Sequence, residues 1–256
     1  MKLIDTHTHL YLDNFDADRN QIIKNAISHG VETMLLPAID STSFDAMMEL
    51  SNLHPQNCFP MIGLHPTSVK DNYENEMELV EKELSKGSYI AVGEIGIDLY
   101  WDKSHFDQQK DAFKRQLRLA LKYKLPVAIH TRDSFDEIYP IVKEESTDEL
   151  TGVFHCFGGT ESEAQKIIDL GFMMGIGGII TFKNSGLAEV VQKIPNIHLI
   201  LETDAPFLTP APYRGKRNQS AYLTYIASKL AEVKKIDVEE IAEITTKNAI
   251  VLFKLV

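Results

Sequence analysis

The chain has 256 residues, a formal net charge of −11 and 44% hydrophobic side chains, a size that suits one large domain over residues 1–256, because α/β barrels commonly run to this length undivided. The acidic balance excludes a surface coated in basic residues for non-specific nucleic-acid binding, although a local cationic site can still hold a few phosphates. The most apolar stretch, GFMMGIGGIITF at 171–182, is short and broken by glycine, MKLIDTHTHL lacks an apolar signal core, and Cys58 and Cys156 make no disulfide framework, so the expectation is a cytoplasmic protein with no membrane association.

Short β-prone runs alternate with amphipathic stretches. The first, near 2–6, leads into DTHTHL with His7 and His9; runs near 33–37 and 59–63 follow, the latter leading into GLHP with His65. The polar stretch 70–78 reads as a surface loop or a helix start. A run at 89–94 ends in Glu94 within AVGEIGID. In DAFKRQLRLALKY, Phe113, Leu117, Ala120 and Leu121 recur at helical spacing. The run at 126–130 ends in His130, with Arg132 two residues on, and the run at 152–155 ends in His155. Thr160 and Glu163 have capping-box spacing, with Gly171 as the stop. Runs at 172–176 and 198–203 complete eight, the last just before Asp204, and helical stretches near 219–233 and 237–253 close the chain. Eight such runs at this spacing predict an α/β fold, a (β/α)8 TIM-like barrel with extra C-terminal helices.

Six side chains able to bind a metal sit at the ends of these runs: His7, His9, Glu94, His130, His155 and Asp204. Alternation along a strand points His7 and His9 the same way, so the HxH pair can clamp one ion. Imidazoles with carboxylates suit zinc, manganese, iron or nickel. Four imidazoles and two carboxylates are about enough for two ions, with Glu94 as a bridge. Asp204 can bind metal and also accept a water's proton. Asp5 and Glu202 share the parity of His7 and Asp204, and read as polar groups supporting the ligands. His65 could be a seventh ligand, but reads better as a substrate contact. Arg132 should reach the same mouth. His29, His54, His105 and His198 lack this placement and read as structural.

Arg214, Lys216 and Arg217 in PAPYRGKRNQ form the densest basic cluster, directly after the eighth run. Loops after strands seven and eight of such barrels often bind phosphate, and guanidinium groups match its oxygens. Lys183 and Asn184 could add to it.

Together DTHTHL, GLHP, AVGEIGID, PVAIHTRD, HCFGG, ETDAPFL, YRGKRN and TTKNAIVLF resemble the TatD family of metal-dependent hydrolases, in order from residue 5 to 253. The resemblance implies a distorted barrel, one or two divalent ions (Zn, Mn or Mg) and deoxyribonuclease activity. It further implies a 3′–5′ exonuclease on single-stranded DNA, with D-aminoacyl-tRNA deacylation as another activity among relatives. His7, His9, Glu94, His130, His155 and Asp204 match the family's ligand positions, with Asp204 and Glu94 as the catalytic carboxylates. The chain departs from the family at Gln219–Ser220, where members commonly have Glu-Pro.

The function expected is metal-dependent cleavage of phosphodiester bonds, with single-stranded DNA or another nucleic acid as the substrate partner and the protein a monomer or weak oligomer. The alternative is hydrolysis of an ester or amide, such as an aminoacyl-tRNA. A metal-bearing binding module without catalysis ranks last, because Asp204 offers a base.

Overall fold

A computed structural model describes residues 1–255 of the chain. Eight parallel strands are laid down in order: β1 (Leu3–Asp5), β2 (Val31–Pro37), β3 (Cys58–Met61), β4 (Val92–Asp98), β5 (Val127–Arg132), β6 (Gly152–Phe154), β7 (Met173–Ile176) and β8 (Leu199–Leu201). Hydrogen-bonded ladders join β1–β2–β3 and β4 through β8, with register shifts in β1 and β4. Two seams connect these sheets. At one, Ile62 bridges Val92 and the Gly93 N–H donates to the Ile62 carbonyl; at the other, Thr8 bridges Ala205 and the His9 N–H donates to the Ala205 carbonyl. The result is a distorted TIM-like barrel.

Helices follow the strands: α1 (Arg19–Ser28), α2 (Ser41–Leu53), α3 (Tyr73–Leu84), α4 (Phe106–Tyr123), α5 (Phe135–Glu145), α6 (Glu161–Asp169), α7 (Leu187–Lys193) and α8 (Leu223–Lys234). The polar stretch 70–78 therefore runs into a helix start. Helix α4 buries Phe113, Leu117 and Ala120, as its periodicity predicts, and Thr160 and Glu163 form both halves of the expected capping box on α6. No helix among the described residues is long and apolar enough to cross a membrane.

Inside the strands lies a compact apolar layer. Ile4, Leu35, Met61, Ala128, Val153, Met173 and Ile200 come from seven strands, and Ala91 from the residue before β4. The final helix, α9 (Val238–Phe253), joins this layer through Ala249, Leu252 and Phe253. The Asn248 side-chain amide of α9 donates to the carbonyls of Asn196 and Leu199, where β8 begins. Helix α9 thus closes the N-terminal end of the barrel. With α8 it makes up the two helical stretches expected at the C-terminus, and it is the helix added to the eight that such a barrel uses.

Apolar filling at one end leaves the C-terminal end for polar groups. Removing the plug should destabilise the chain: Phe253→Ala is expected to cost about 3–5 kcal/mol, as for a buried phenyl group. Urea unfolding measures this, and a loss under about 1 kcal/mol would mean that α9 does not close the barrel.

Candidate metal centre

The six predicted ligands converge at the C-terminal mouth. In β5, β6 and β8 strand alternation suffices, because His130, His155 and Glu202 stand two residues beyond the interior Ala128, Val153 and Ile200. Glu94 arrives differently. The sequence puts it at a strand end, whereas it lies near the start of β4. A register shift between Val92 and Ile95 re-aims the backbone, so that Ile95 and Ile97 pack outward and Glu94 points in. Gly96 continues this strand at φ +147°, where an added Cβ would lie 2.1 Å from the His130 carbonyl oxygen.

Asp5 is a buried polar group that supports the ligands, as expected. Regular strand ends there, so parity does not carry through to His7. The Asp5 carboxylate accepts from the backbone N–H and hydroxyl of Thr203, and its Oδ1 lies 3.5 Å from the His7 backbone nitrogen. Burial pushes its pKa up to about 7 against these hydrogen bonds. Asp5 thereby holds the backbone next to Asp204.

Two groups of ligand atoms meet on Glu94. Around Oε2 stand His7 Nε2 at 3.1 Å and His9 Nε2 at 3.7 Å; Asp204 Oδ1 lies 3.8 and 3.5 Å from the same two nitrogens. Around Oε1 stand His130 Nδ1 at 2.7 Å and His155 Nε2 at 3.2 Å. Bonds of roughly 2.0–2.2 Å in tetrahedral directions separate ligand atoms by about 3.3–3.6 Å, so the first group has the spacing of a cation site. The donor set of imidazole and carboxylate fits a divalent ion.

Neighbouring residues select which nitrogen faces inward. Tyr11 donates its hydroxyl proton to the Pro37 carbonyl, so His9 Nδ1 donates to the Tyr11 oxygen and its Nε2 lone pair is free. Glu202 faces His155 Nδ1 at 3.0 Å and also accepts the Cys156 N–H. Asp98 faces His130 Nε2 at 2.9 Å, leaving Nδ1 for Glu94. His7 Nδ1 is buried without a hydrogen-bond partner.

His65 has the opposite tautomer. Its Nε2 lies 3.3 Å from Glu94 Oε1, within reach of the ligands. Its Nδ1, however, accepts from the Thr67 N–H, so Nε2 carries the proton and can only donate. The geometry therefore separates His65 from the lone-pair donors and agrees with a substrate contact. Gln116 of α4 clamps this loop, accepting from Leu64 N and donating to Leu64 O.

Burial raises the pKa of Glu94, but the imidazoles of His155, His65 and His7 and the hydrogen bond from His130 outweigh it and hold the carboxyl well below its usual range. Burial lowers the pKa of His155, yet Glu202 and Glu94 reverse this and raise it well above the ordinary value. His130 is raised in the same way by Asp98 and Glu94, against burial. Protons on these rings compete with a cation for the same lone pairs.

The basic residues are spread out. Arg132 is exposed at the mouth and lines a cleft of about 940 Å³ together with His130, His155 and Asp204. Arg214 is exposed, with its guanidinium 3.7 Å from the centre of the Phe182 ring, and Lys216 is exposed beside Tyr213. Arg217 is exposed, pairs with Asp18 at 2.6 Å and donates to the Asn14 carbonyl, which ties the loop to the N-terminal segment. Lys183 and Asn184 are exposed. Gln219 and Ser220, at the departure from the family pattern, bond Asn25 and lie against Thr8. His29, His54 and His105 bond Asn25, Asn20 and Asp71, outside the cluster. Asp98 and Tyr11 were not anticipated; Asp98 shares strand parity with Glu94 in β4, a signal that could have found it, whereas Tyr11 lies in a turn beyond β1.

The TatD related DNase family matches residues 4–254. The chain belongs to that family. The metal-dependent hydrolase YabD of Bacillus subtilis is 39% identical over 254 residues, 99% of each chain. The crystal structure of YjjV, a TatD homologue from Escherichia coli, superposes with a TM-score of 0.94 at 30% identity, covering 99% of this chain and 98% of that one. A phosphotriesterase homology protein from Escherichia coli, with phosphate in its active site, shares the fold at a TM-score of 0.74 and 14% identity. With these ligand groups at its mouth, the chain is a metal-dependent hydrolase of the TatD family.

Gly175 tests the support around His155. A Cβ there would lie 2.1 Å from Glu202 Oε2, so Gly175→Ala must displace the carboxylate that orients His155. Loss of such an orienting group typically weakens metal binding about 10–100-fold. Calorimetric titration with Zn²⁺ measures it, and unchanged affinity would remove Glu202 from the metal centre.

Proposed function

We propose that this TatD-family hydrolase cleaves phosphodiester bonds in nucleic acid, with single-stranded DNA attacked from a 3′ end as the form the family resemblance favours. Two divalent ions, Zn, Mn or Mg, are the proposed cofactors, held by His7, His9, Glu94 and Asp204 on one side and by Glu94, His130 and His155 on the other. The observation that carries the reading is the shared carboxylate: both oxygens of Glu94 are engaged, each by a different set of imidazoles. Ions bound there would supply an activated water and would offset charge on the attacking and leaving oxygens of a phosphoryl group.

The remaining roles follow from access and protonation. The Asp204 side chain is 13% exposed and that of Glu94 3%, so Asp204 is the carboxylate that water can reach. It is assigned as the base that takes the attacking water's proton onto a carboxylate oxygen. Glu94 contributes by holding both groups in register. Burial raises the Asp204 pKa, but the neighbouring imidazoles of His9, His155 and His7 lower it overall, which keeps the side chain in the ionised form that a base requires. His65 donates from Nε2 toward a phosphoryl oxygen. Arg132, Arg214 and Lys216 supply the cations for the flanking phosphates.

Asp204→Asn should lower turnover of single-stranded DNA by at least about 10²-fold, with metal content measured alongside. Arg214→Ala with Lys216→Ala should raise KM and reduce the salt slope of DNA binding by about 0.7 for each lost phosphate contact. Near-normal turnover in the metal-loaded Asp204 variant would move the base elsewhere. An unchanged KM and salt slope, with good turnover of an uncharged ester, would replace the phosphodiester reading with ester or amide hydrolysis.

A further inference from the structure

The loop leaving β4 carries two aromatic side chains in water. Trp101, the one tryptophan of the chain, is 69% exposed, and Tyr100 is 53% exposed. Their rings meet at right angles with centroids 4.9 Å apart. The Arg132 guanidinium lies over both, 3.9 Å from the Tyr100 centroid and 5.4 Å from that of Trp101. This contact leaves most of each ring open.

The position of this cluster is set by the metal centre. The buried Asp98 carboxylate faces His130 Nε2 through Oδ2 and accepts the backbone N–H groups of both Tyr100 and Trp101 through Oδ1, at 3.0 and 3.1 Å. The Leu99 N–H also donates to the Arg132 carbonyl, tying the loop after β4 to the end of β5. The carboxylate that orients a ligand imidazole therefore also fixes the backbone of two exposed aromatics. Arg132 lines the cleft that His130, His155 and Asp204 share, so the cluster stands on its rim.

We propose that Tyr100, Trp101 and Arg132 form a stacking subsite for one unpaired nucleobase beside the bond to be cleaved. The proposal rests on the phosphodiesterase reading and adds the recognition element that reading lacks. Exposed aromatic faces stack on any base, and the guanidinium serves both the stack and the adjoining phosphate. A base within a duplex is already stacked and cannot use the platform, which accounts for a preference for single strands. Little base specificity is expected, because every base presents a π-face.

Trp101 reports on its own occupancy. The metal-loaded full chain is titrated with phosphorothioate oligothymidylate, which resists cleavage, and with an abasic oligomer of equal length. Tryptophan emission should change saturably with oligothymidylate, and affinity should be about tenfold or more above that for the abasic oligomer. By anisotropy of labelled oligomers, Trp101→Leu should remove most of this difference, and Trp101→Phe, which keeps a ring, should restore it. Equal affinity for the two oligomers, or saturation without a change in emission, overturns the platform. Cleavage of ordinary DNA is scored separately: cleavage without base discrimination sinks the platform alone, whereas base-dependent binding without cleavage sinks the phosphodiesterase reading and leaves the platform standing.

Discussion

The mouth of this barrel is organised around one carboxylate that has been taken out of water. The side chain of Glu94 is 3% exposed and stays ionised because imidazoles approach both of its oxygens. An isolated charge at that depth would cost several kcal/mol, so the imidazoles are a condition of its burial. The same requirement makes the cluster suited to cations, because groups that stabilise a buried carboxylate through a proton can do so through a metal ion instead.

Glu94 can be shared only because the barrel is irregular where it stands. A perfectly alternating β4 would put Glu94 on the outer face, and the register shift beyond Val92 turns it inward. His7, His9 and Asp204 likewise lie at a break, the seam where Thr8 bridges Ala205. Four of the six predicted ligands therefore come from places where the ladder is interrupted. His130 and His155 come from regular strands, and each is held by a carboxylate on its far nitrogen, Asp98 or Glu202. Below this layer, α9 packs Ala249, Leu252 and Phe253 against the apolar end, and the buried imidazoles and carboxylates gather at the mouth.

Much of this was legible in the amino-acid sequence. The eight β-prone runs, the capping box at Thr160 and the six side chains that meet at the mouth could be read because strand and helix periodicities are local and metal-binding side chains are few in type. The end of regular strand at Asp5 and the register shift in β4 were not legible, because strand alternation alone does not show where the backbone departs from it. The pairing of Arg217 with Asp18 was not legible, because the two lie far apart in sequence and only the fold brings them together. The role of His65 depends on a tautomer set by the Thr67 N–H, which composition and spacing cannot express. Trp101 gave no signal, since an isolated aromatic acquires meaning only through its attachment to Asp98.

The shared carboxylate is tested most directly by counting ions. Wild-type protein saturated with Zn²⁺ or Mn²⁺ and then freed of excess should retain two ions per chain by elemental analysis, and Glu94→Ala should retain fewer than one, since both ligand groups lose their common oxygen donor. Retention of two ions by that variant, with the fold intact by circular dichroism, would contradict the account.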